Sequence, residues 1–471
     1  MSENFAIAIK HLQNVIEGSE FENHVYIVGG YVRSIFMGRE PNDLDVVVDL
    51  PDGGIRFANW MHEKGETDGD VVVYPTFGVG MFRLKEFPEI ELECVMTRGE
   101  QYHDKNSRNP ETAFGSIHDD CVRRDFTVNA LYLNVTTSDV YDFTDKGLDD
   151  LKNKIIRVTN DNPDVVFNDD PLRIIRGCRF ASQLGFDIEK NTFESMKRNA
   201  ERIKIVSAER IASELNKILM SPEPTKGLEL MKDCGALEQF IPEFKDLYNM
   251  TQNKYHDYCT VWEHTLKVVE HAQEYGDLTV MLAALLHDIG KLKTRRVNGD
   301  KVQFIMHETV GADMAEQILR RLKYDNKTIS DVKFMVRNHM RFKSFGDNTP
   351  SDKALRKFQY ECKEPFLEYR CLRLIHADNI SHGEKYCLPN QVLKIDIRTS
   401  QLVREGEDMF EFRLPVSGEG IMAVRGCQPG EEVGKCIEYL TKLCFNGVKK
   451  MDKETCLKMI KNYKTKYIRD E

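Results

Sequence analysis

Two carboxylates two residues apart, Asp43 and Asp45, follow an adjacent glycine pair and an arginine in "VGGYVRSIFMGREPNDLDVVV". In an extended strand, side chains at i and i+2 share a face, so these carboxylates repel and invite a cation between them. Gly29 and Gly30 let backbone N–H groups approach an oxyanion with no Cβ in the way. A helix starting near Tyr31 adds its positive end, and Arg33 faces the same phosphates. A phosphate cradle ahead of paired carboxylates suits Mg²⁺-dependent phosphoryl or nucleotidyl transfer, because Mg²⁺ takes one or two carboxylates plus phosphate oxygens and waters. The plainer reading has Asp43 ending a loop and Asp45 at a sheet edge; the glycine turn weighs against it.

A second constellation lies further on. His264 sits in "VWEHTLKVVEHA", His287 and Asp288 end the apolar run "LTVMLAALLHDIGKL", and Asp378 sits in "LIHADNI". A lone helix histidine is more often structural. An adjacent His-Asp at the end of a buried helix, with His upstream and Asp downstream, makes a mixed N/O set suited to Mn, Fe, Ni, Mg or Zn.

The elements that must position these groups change along the chain. Up to about residue 155, "HVYIVGG", "LDVVVDL", "DVVVYPTFGVGMF", "IELECVM" and "NALYLNV" are short β-rich runs punctuated by Gly, Pro and Asp. From about residue 160 helical apolar spacing takes over, and a second helical set runs from about 260 to 385. The segment "RLPVSGEGIMAVRGCQPGEEVG" then leads into basic C-terminal helices. These shifts predict four domains: 1–155, 156–250, 251–385 and 386–471. No run approaches the roughly 18 apolar residues of a membrane span, and "MSENFAIAIKHLQN" lacks the form of a signal peptide. Twelve cysteines with no Cys-x-x-Cys pair argue against a thiolate zinc site and fit a reducing cytoplasm. The net charge of −10 argues against indiscriminate nucleic-acid binding, yet residues 173–210 hold nine Lys/Arg against five Asp/Glu, and residues 435–471 hold ten against five. Such runs suit either a solvated helix face or phosphate contact.

Together with "RRDFTVNALYLN" (123–134), "DDPLRIIRGCRFASQLGF" (169–186) and "ERIASELNKIL" (209–219), the opening stretch resembles the DNA polymerase β-like nucleotidyltransferases. The version is the one shared by class II CCA-adding enzymes and bacterial poly(A) polymerases. The resemblance implies an α/β nucleotidyltransferase head, a small sheet with helices, followed by all-α RNA-binding and HD domains. It implies Mg²⁺ on Asp43 and Asp45, with a third acidic position on Glu93, whose strand face Glu91 shares. Arg124, Asp125 and Asn129 would contact the sugar and phosphates of the incoming nucleotide. For Asp125 a helix N-cap is the plain alternative, and both roles can hold. Asp170 and Arg173, neighbours at i,i+3 on a helix, would meet the Watson–Crick edge of cytosine or adenine. The alternative is a surface ion pair, worth little to stability. Arg176 and Arg179 continue the spacing toward phosphates. The chain departs from the family at Ser34, where Asp is usual, and at Asp169, where Glu is usual.

"HDIGK" resembles the HD-domain phosphohydrolases, with an unidentified divalent metal on His264, His287, Asp288 and Asp378. His307 and His339 occupy places that dinuclear members use for a second metal. Phosphodiesterase or phosphatase activity would follow.

The leading expectation is a cytoplasmic, template-independent enzyme that adds CCA to tRNA 3′ ends from CTP and ATP, releasing pyrophosphate. A poly(A) polymerase, or a CC-only or A-only enzyme, is the neighbouring alternative; the CC/A distinction lies in the stretch between about 50 and 90. From another class, the chain would be an HD phosphohydrolase with a non-catalytic RNA-binding head, against which the intact Asp43/Asp45 pair argues. The expected partners are the tRNA 3′ end, CTP and ATP, with no membrane. Oligomeric state is not legible.

Overall fold

The structure is a computed structural model and describes residues 2–41, 44–101, 111–257, 259–299, 301–446 and 452–463. The chain forms two compact units, 1–242 and 243–471.

The first unit opens with the strands β1 (Val25–Val28), β2 (Leu44–Val48), β3 (Val72–Tyr74), β4 (Val79–Arg83), β5 (Glu91–Met96), β6 (Arg98–Gln101), β7 (Glu111–Phe114), β8 (Leu131–Asn134) and β9 (Val140–Asp142). Seven of them form one sheet in the order β3-β4-β5-β2-β1-β8-β9, in which β2 and β5 run parallel. Val46, Val47 and Val48 are fully buried in the middle of it, where β-branched side chains pack best. The helix Gly53–Glu63 leads out of β2 and lies close on β5. A Cβ on Gly54 would come within 2.4 Å of the Cys94 carbonyl oxygen, so only glycine permits this approach. Phe21 and Phe57, rings 5.1 Å apart, fill the space beneath the helix. The run "DVVVYPTFGVGMF" is not one strand: a 3₁₀ turn at Pro75–Phe77 divides it into β3 and β4, which pair antiparallel.

Helices follow, among them Pro163–Asp169, Leu172–Leu184 and Ala208–Leu219. Leu172–Leu184 buries Ile174, Ile175, Cys178 and Ala181 at helical spacing and stops at Gly185.

The second unit is built on Val261–Ala272, Leu278–Leu286, His307–Arg321, Asn326–Asn338 and Pro365–Ile380. Thr260 and Glu263 form a reciprocal cap on the first of these. Leu278–Leu286 is buried from Thr279 to Leu286, as expected of a helix apolar on all sides. Two features differ from expectation. Strands Arg295–Asn298 and Lys301–Phe304 form a hairpin inside the supposed all-helical stretch; its signal was the Asn298-Gly299 dipeptide between alternating residues. The Gly/Pro-punctuated segment contains the helix Gly418–Arg425, capped by Ser417, which packs Ile421 against Cys436, Leu440, Cys456 and Ile460. No helix of the described residues is long and apolar enough to cross a membrane.

Candidate functional sites

In the head, Asp43 lies outside the described residues. Asp45 is the register partner of Val28 on β1 and of Glu93 on β5. Register partners point to the same face, so Asp45 and Glu93 stand side by side. Glu91 instead pairs with Arg83 on β4, with Oε2 3.2 Å from Nε, and the sheet thereby separates two acids that the sequence left equivalent. Gly29 lies beside Asp45. Its φ is +72°, a conformation that favours glycine, and a Cβ there would sit a tight 3.2 Å from Asp45 Oδ2. Burial, and then the charges of Glu93 and Asp45, push the Cys94 thiol upward, a sign of negative field at this point of the sheet. Hard carboxylate oxygens beside a glycine turn fit a divalent cation of the Mg²⁺ type.

The expected phosphate-facing arginines are tied to one another through side chains. Arg33 donates to Asn129 Oδ1, and Asn129 donates to Asp125 Oδ1 at 3.1 Å. Asp125 Oδ2 accepts from Arg176 Nε at 2.9 Å, and Arg179 Nε lies 2.6 Å from Glu214 Oε2. Guanidinium carbons of Arg33, Arg176 and Arg179 stand 5.1, 5.3 and 4.0 Å from the Phe180 ring centre, a hub the sequence did not single out. Burial opposes charge on Asp125, but Arg176, Asn129 and Arg173 hold its carboxyl down to about 2. Asp125 is not a helix N-cap: the 3₁₀ turn Thr127–Asn129 is preceded by Phe126, and Asp125 Oδ1 accepts the Phe126 N–H at 2.8 Å. Arg124 is likewise held within the protein, 3.0 Å from Asp120 and 2.8 Å from the Tyr132 hydroxyl, with Asp120 fully buried. Asp120 was readable as the i−3 and i−4 partner of Arg123 and Arg124.

The base-reading pair also departs from expectation. Asp170 is not on the helix with Arg173; it lies in the extended junction between Pro163–Asp169 and Leu172–Leu184. Its Oδ1 accepts the Leu172 N–H at 3.1 Å and its Oδ2 accepts Arg210 Nη2 at 2.6 Å. Arg173 Nη2 donates to the Arg123 carbonyl at 2.7 Å. The simple i,i+3 ion pair is therefore not formed. Pro171 is the reason: the residue ahead of a proline is driven out of helical geometry. Arg210 was missed, although it belongs to the motif "ERIASELNKIL".

In the second unit, two groups have ligand atoms within 4.8 Å of one another: His264, His287 and Asp378, and Asp288, His307 and His339. Asp288 faces both. Its Oδ2 lies 3.2 Å from His287 Nε2 and 3.7 Å from His264 Nε2; its Oδ1 lies 3.3 Å from His307 Nε2 and 3.9 Å from His339 Nε2. The expected set of four is thus regrouped around a shared carboxylate. The imidazoles are pre-set as ligands. Nδ1 of His287, His307 and His339 faces a backbone carbonyl at 2.8, 2.8 and 2.6 Å. A carbonyl only accepts, so Nδ1 carries a proton and Nε2 turns inward; burial opposes charge on His287 but Asp288 raises it, so a metal there would displace the Nε2 proton. Burial pushes His264 down to about 4 and His339 down to about 3, which keeps them neutral. Burial opposes ionisation of Asp288 and Asp378, yet His287 with Lys291, and Lys343 with His382, hold them well below the usual carboxylate range. This donor set fits divalent metal. Lys291, three residues beyond Asp288, and His382, four beyond Asp378, were legible by helical spacing alone.

Comparison with known proteins agrees with this layout. Residues 25–157 match the poly A polymerase head domain, 185–248 the probable RNA and SrmB-binding site of polymerase A, and 261–373 the HD domain. The chain is 30% identical to the CC-adding tRNA nucleotidyltransferase of Thermus thermophilus, over 89% of each protein. It is 29% identical to the A-adding tRNA nucleotidyltransferase of Deinococcus radiodurans, over 74% of this chain and 78% of that one. The fold resembles the crystal structure of the Bacillus stearothermophilus CCA-adding enzyme in complex with CTP, with a TM-score of 0.64 at 19% identity, covering 98% of this chain and 97% of that one.

Proposed function

This chain belongs to the tRNA nucleotidyltransferase family, and from that premise we propose that it adds CCA to tRNA 3′ ends from CTP and ATP without a nucleic-acid template. The observation that carries the reading is the side-by-side placement of Asp45 and Glu93 under the Gly29 turn. These two carboxylates would hold Mg²⁺. Once bound, the cation would offset charge on the attacking 3′-oxygen and on the departing diphosphate. The rest is positional. The tRNA 3′-hydroxyl displaces diphosphate from the α-phosphorus, one P–O bond forming as the other breaks. Gly29 leaves room for a phosphate oxygen beside Asp45. The chain Arg33–Asn129–Asp125–Arg176 is fixed before substrate arrives, so little reorganisation is needed. Asp170, oriented by Arg210 and the Leu172 N–H, would offer an acceptor to N4 of cytosine or N6 of adenine, and Arg173, held through Nη2 on the Arg123 carbonyl, would supply the donor.

The test uses Mg²⁺ and tRNA transcripts ending before, within and one nucleotide short of CCA, with CTP and ATP apart and together. Completion of CCA from all three ends is expected. Long A tails would make the enzyme a poly(A) polymerase, and no extension from any end would sink the reading. A second reading, CC addition alone, is favoured by the Thermus relative, which matches along most of its length; two CTP additions with ATP never used would establish it.

The second unit is proposed to be a divalent-metal phosphohydrolase centre, on the strength of its inward-facing histidine Nε2 atoms around Asp288.

A further inference from the structure

A cavity of about 1280 Å³ in the second unit has Asp288, His307, His339 and Asp378 in its lining. Five lysines line it as well: Lys254, Lys291, Lys301, Lys343 and Lys385. Two of these answer buried carboxylates, Lys291 at 2.6 Å from Asp288 and Lys343 at 3.1 Å from Asp378. Among the described lining residues Asp288 and Asp378 are the only carboxylates, so no acid of the wall answers Lys254, Lys301 and Lys385. In a chain of net charge −10, such an inversion marks a place for an anion. The wall also carries Tyr255 and Tyr386, with rings 4.7 Å apart and edge to face. Tyr255 is 46% exposed, with Lys254 Nζ 5.5 Å over its ring, and exposed aromatic surface of this kind stacks bases. The volume exceeds the roughly 300–1,000 Å³ of most small-ligand clefts.

We propose that this cavity binds a nucleotide carrying at least two phosphates: one over the paired triads, the next against Lys254, Lys301 and Lys385, and the base against Tyr255 and Tyr386. This rests on reading the triads as a phosphoryl-handling metal centre and adds a subsite for the rest of the ligand. A lone phosphate would be satisfied at the centre. Lys254, Lys301 and Lys385, which no acid among the described lining residues answers, match a second phosphate. A free nucleoside diphosphate and the end of an RNA strand share this chemistry.

Guanosine nucleotides separate the site from the head, which on the reading above takes cytosine and adenine. The full chain with Mn²⁺ is titrated calorimetrically with GMP, GDP and the dinucleotide pGpG. The expected result is binding of GDP or pGpG about tenfold tighter than GMP, the scale of one charge-assisted contact. The combined Lys301→Ala and Lys385→Ala variant alters only exposed side chains; it should keep the thermal midpoint and lose that advantage. Tyr255→Ala should weaken GDP but not inorganic diphosphate. Tighter GDP than pGpG assigns a free nucleotide, and the reverse assigns an RNA end. Equal binding of all three, or an advantage that survives the double variant, overturns the subsite. Hydrolysis of p-nitrophenyl phosphate, followed in parallel, reports on the metal centre alone. Its absence alongside lysine-dependent GDP binding removes the centre and keeps the subsite. Its presence without any diphosphate preference does the opposite.

Discussion

The head and the histidine centre both gather negative charge, but they solve the problem differently. Asp45 and Glu93 stand on neighbouring strands, half-buried and exposed, with a glycine holding the space beside them. Asp288 and Asp378 are almost fully buried, and each has a lysine within 3.1 Å. A carboxylate near water can wait for a cation that arrives with its substrate. A carboxylate deep in a core cannot, because an unpaired buried charge is expensive, so the fold supplies permanent cations. The contrast suits the proposed roles, a head that would load and unload charged substrates every cycle and a centre that would retain a metal.

The experiments that would break or sharpen this contrast begin with the largest effect. Asp45→Ala should lower nucleotide addition by about a thousandfold, measured as CTP incorporation into tRNA. Asp288→Ala faces both triads, so bound divalent metal, read by plasma mass spectrometry, should fall toward zero; His287→Ala should remove at most one ion of two. Full metal content in Asp288→Ala would end the shared-carboxylate reading.

Glu368 shows what burial does without a cation. It is 8% exposed, accepts only a 3.4 Å hydrogen bond from Gln359, and has Asp396 and Asp408 in its field. Burial first, and then those acids, raise its carboxyl to about 7. The folded form therefore binds the proton more tightly than the unfolded chain. The associated stability is complete below about pH 4.3 and is lost as pH rises to about 7, by roughly 4 kcal/mol. Glu368→Gln should flatten that slope in urea unfolding of the second unit; an unchanged slope would show that Glu368 is ionised in the fold.

Arg210→Ala frees one Asp170 oxygen and should raise UTP use relative to CTP about tenfold, with Arg210→Lys intermediate. A uniform fall in kcat with unchanged choice would leave Arg210 a purely structural role. Smallest of all, Arg83→Ala breaks an exposed pair and should change stability by less than about 1 kcal/mol. Glu91→Ala should likewise leave addition near normal while Glu93→Ala does not; equal losses would remove the register argument.

Much of this was written locally. The glycine turn, the alternation through "LDVVV", the spacing of "RRDFTVN" and the apolar helix ending at His287-Asp288 each lie within a few residues, where strand and helix periods alone decide which side chains share a face. The hairpin at 295–304 was also local, and its Asn-Gly turn was overlooked. Other features were closed to any reading of spacing. Glu93 was separated from Glu91 by strand register, since both share one face of β5 and only cross-strand alignment distinguishes them. Asp170 found Arg210, 40 residues on, because Pro171 turned it away from Arg173. His264 met Asp378 across 114 residues, and Asp288 came to stand between two triads. Periodicity orders neighbours along one element. Which elements meet, and which carboxylate they must neutralise when water is excluded, is settled by packing.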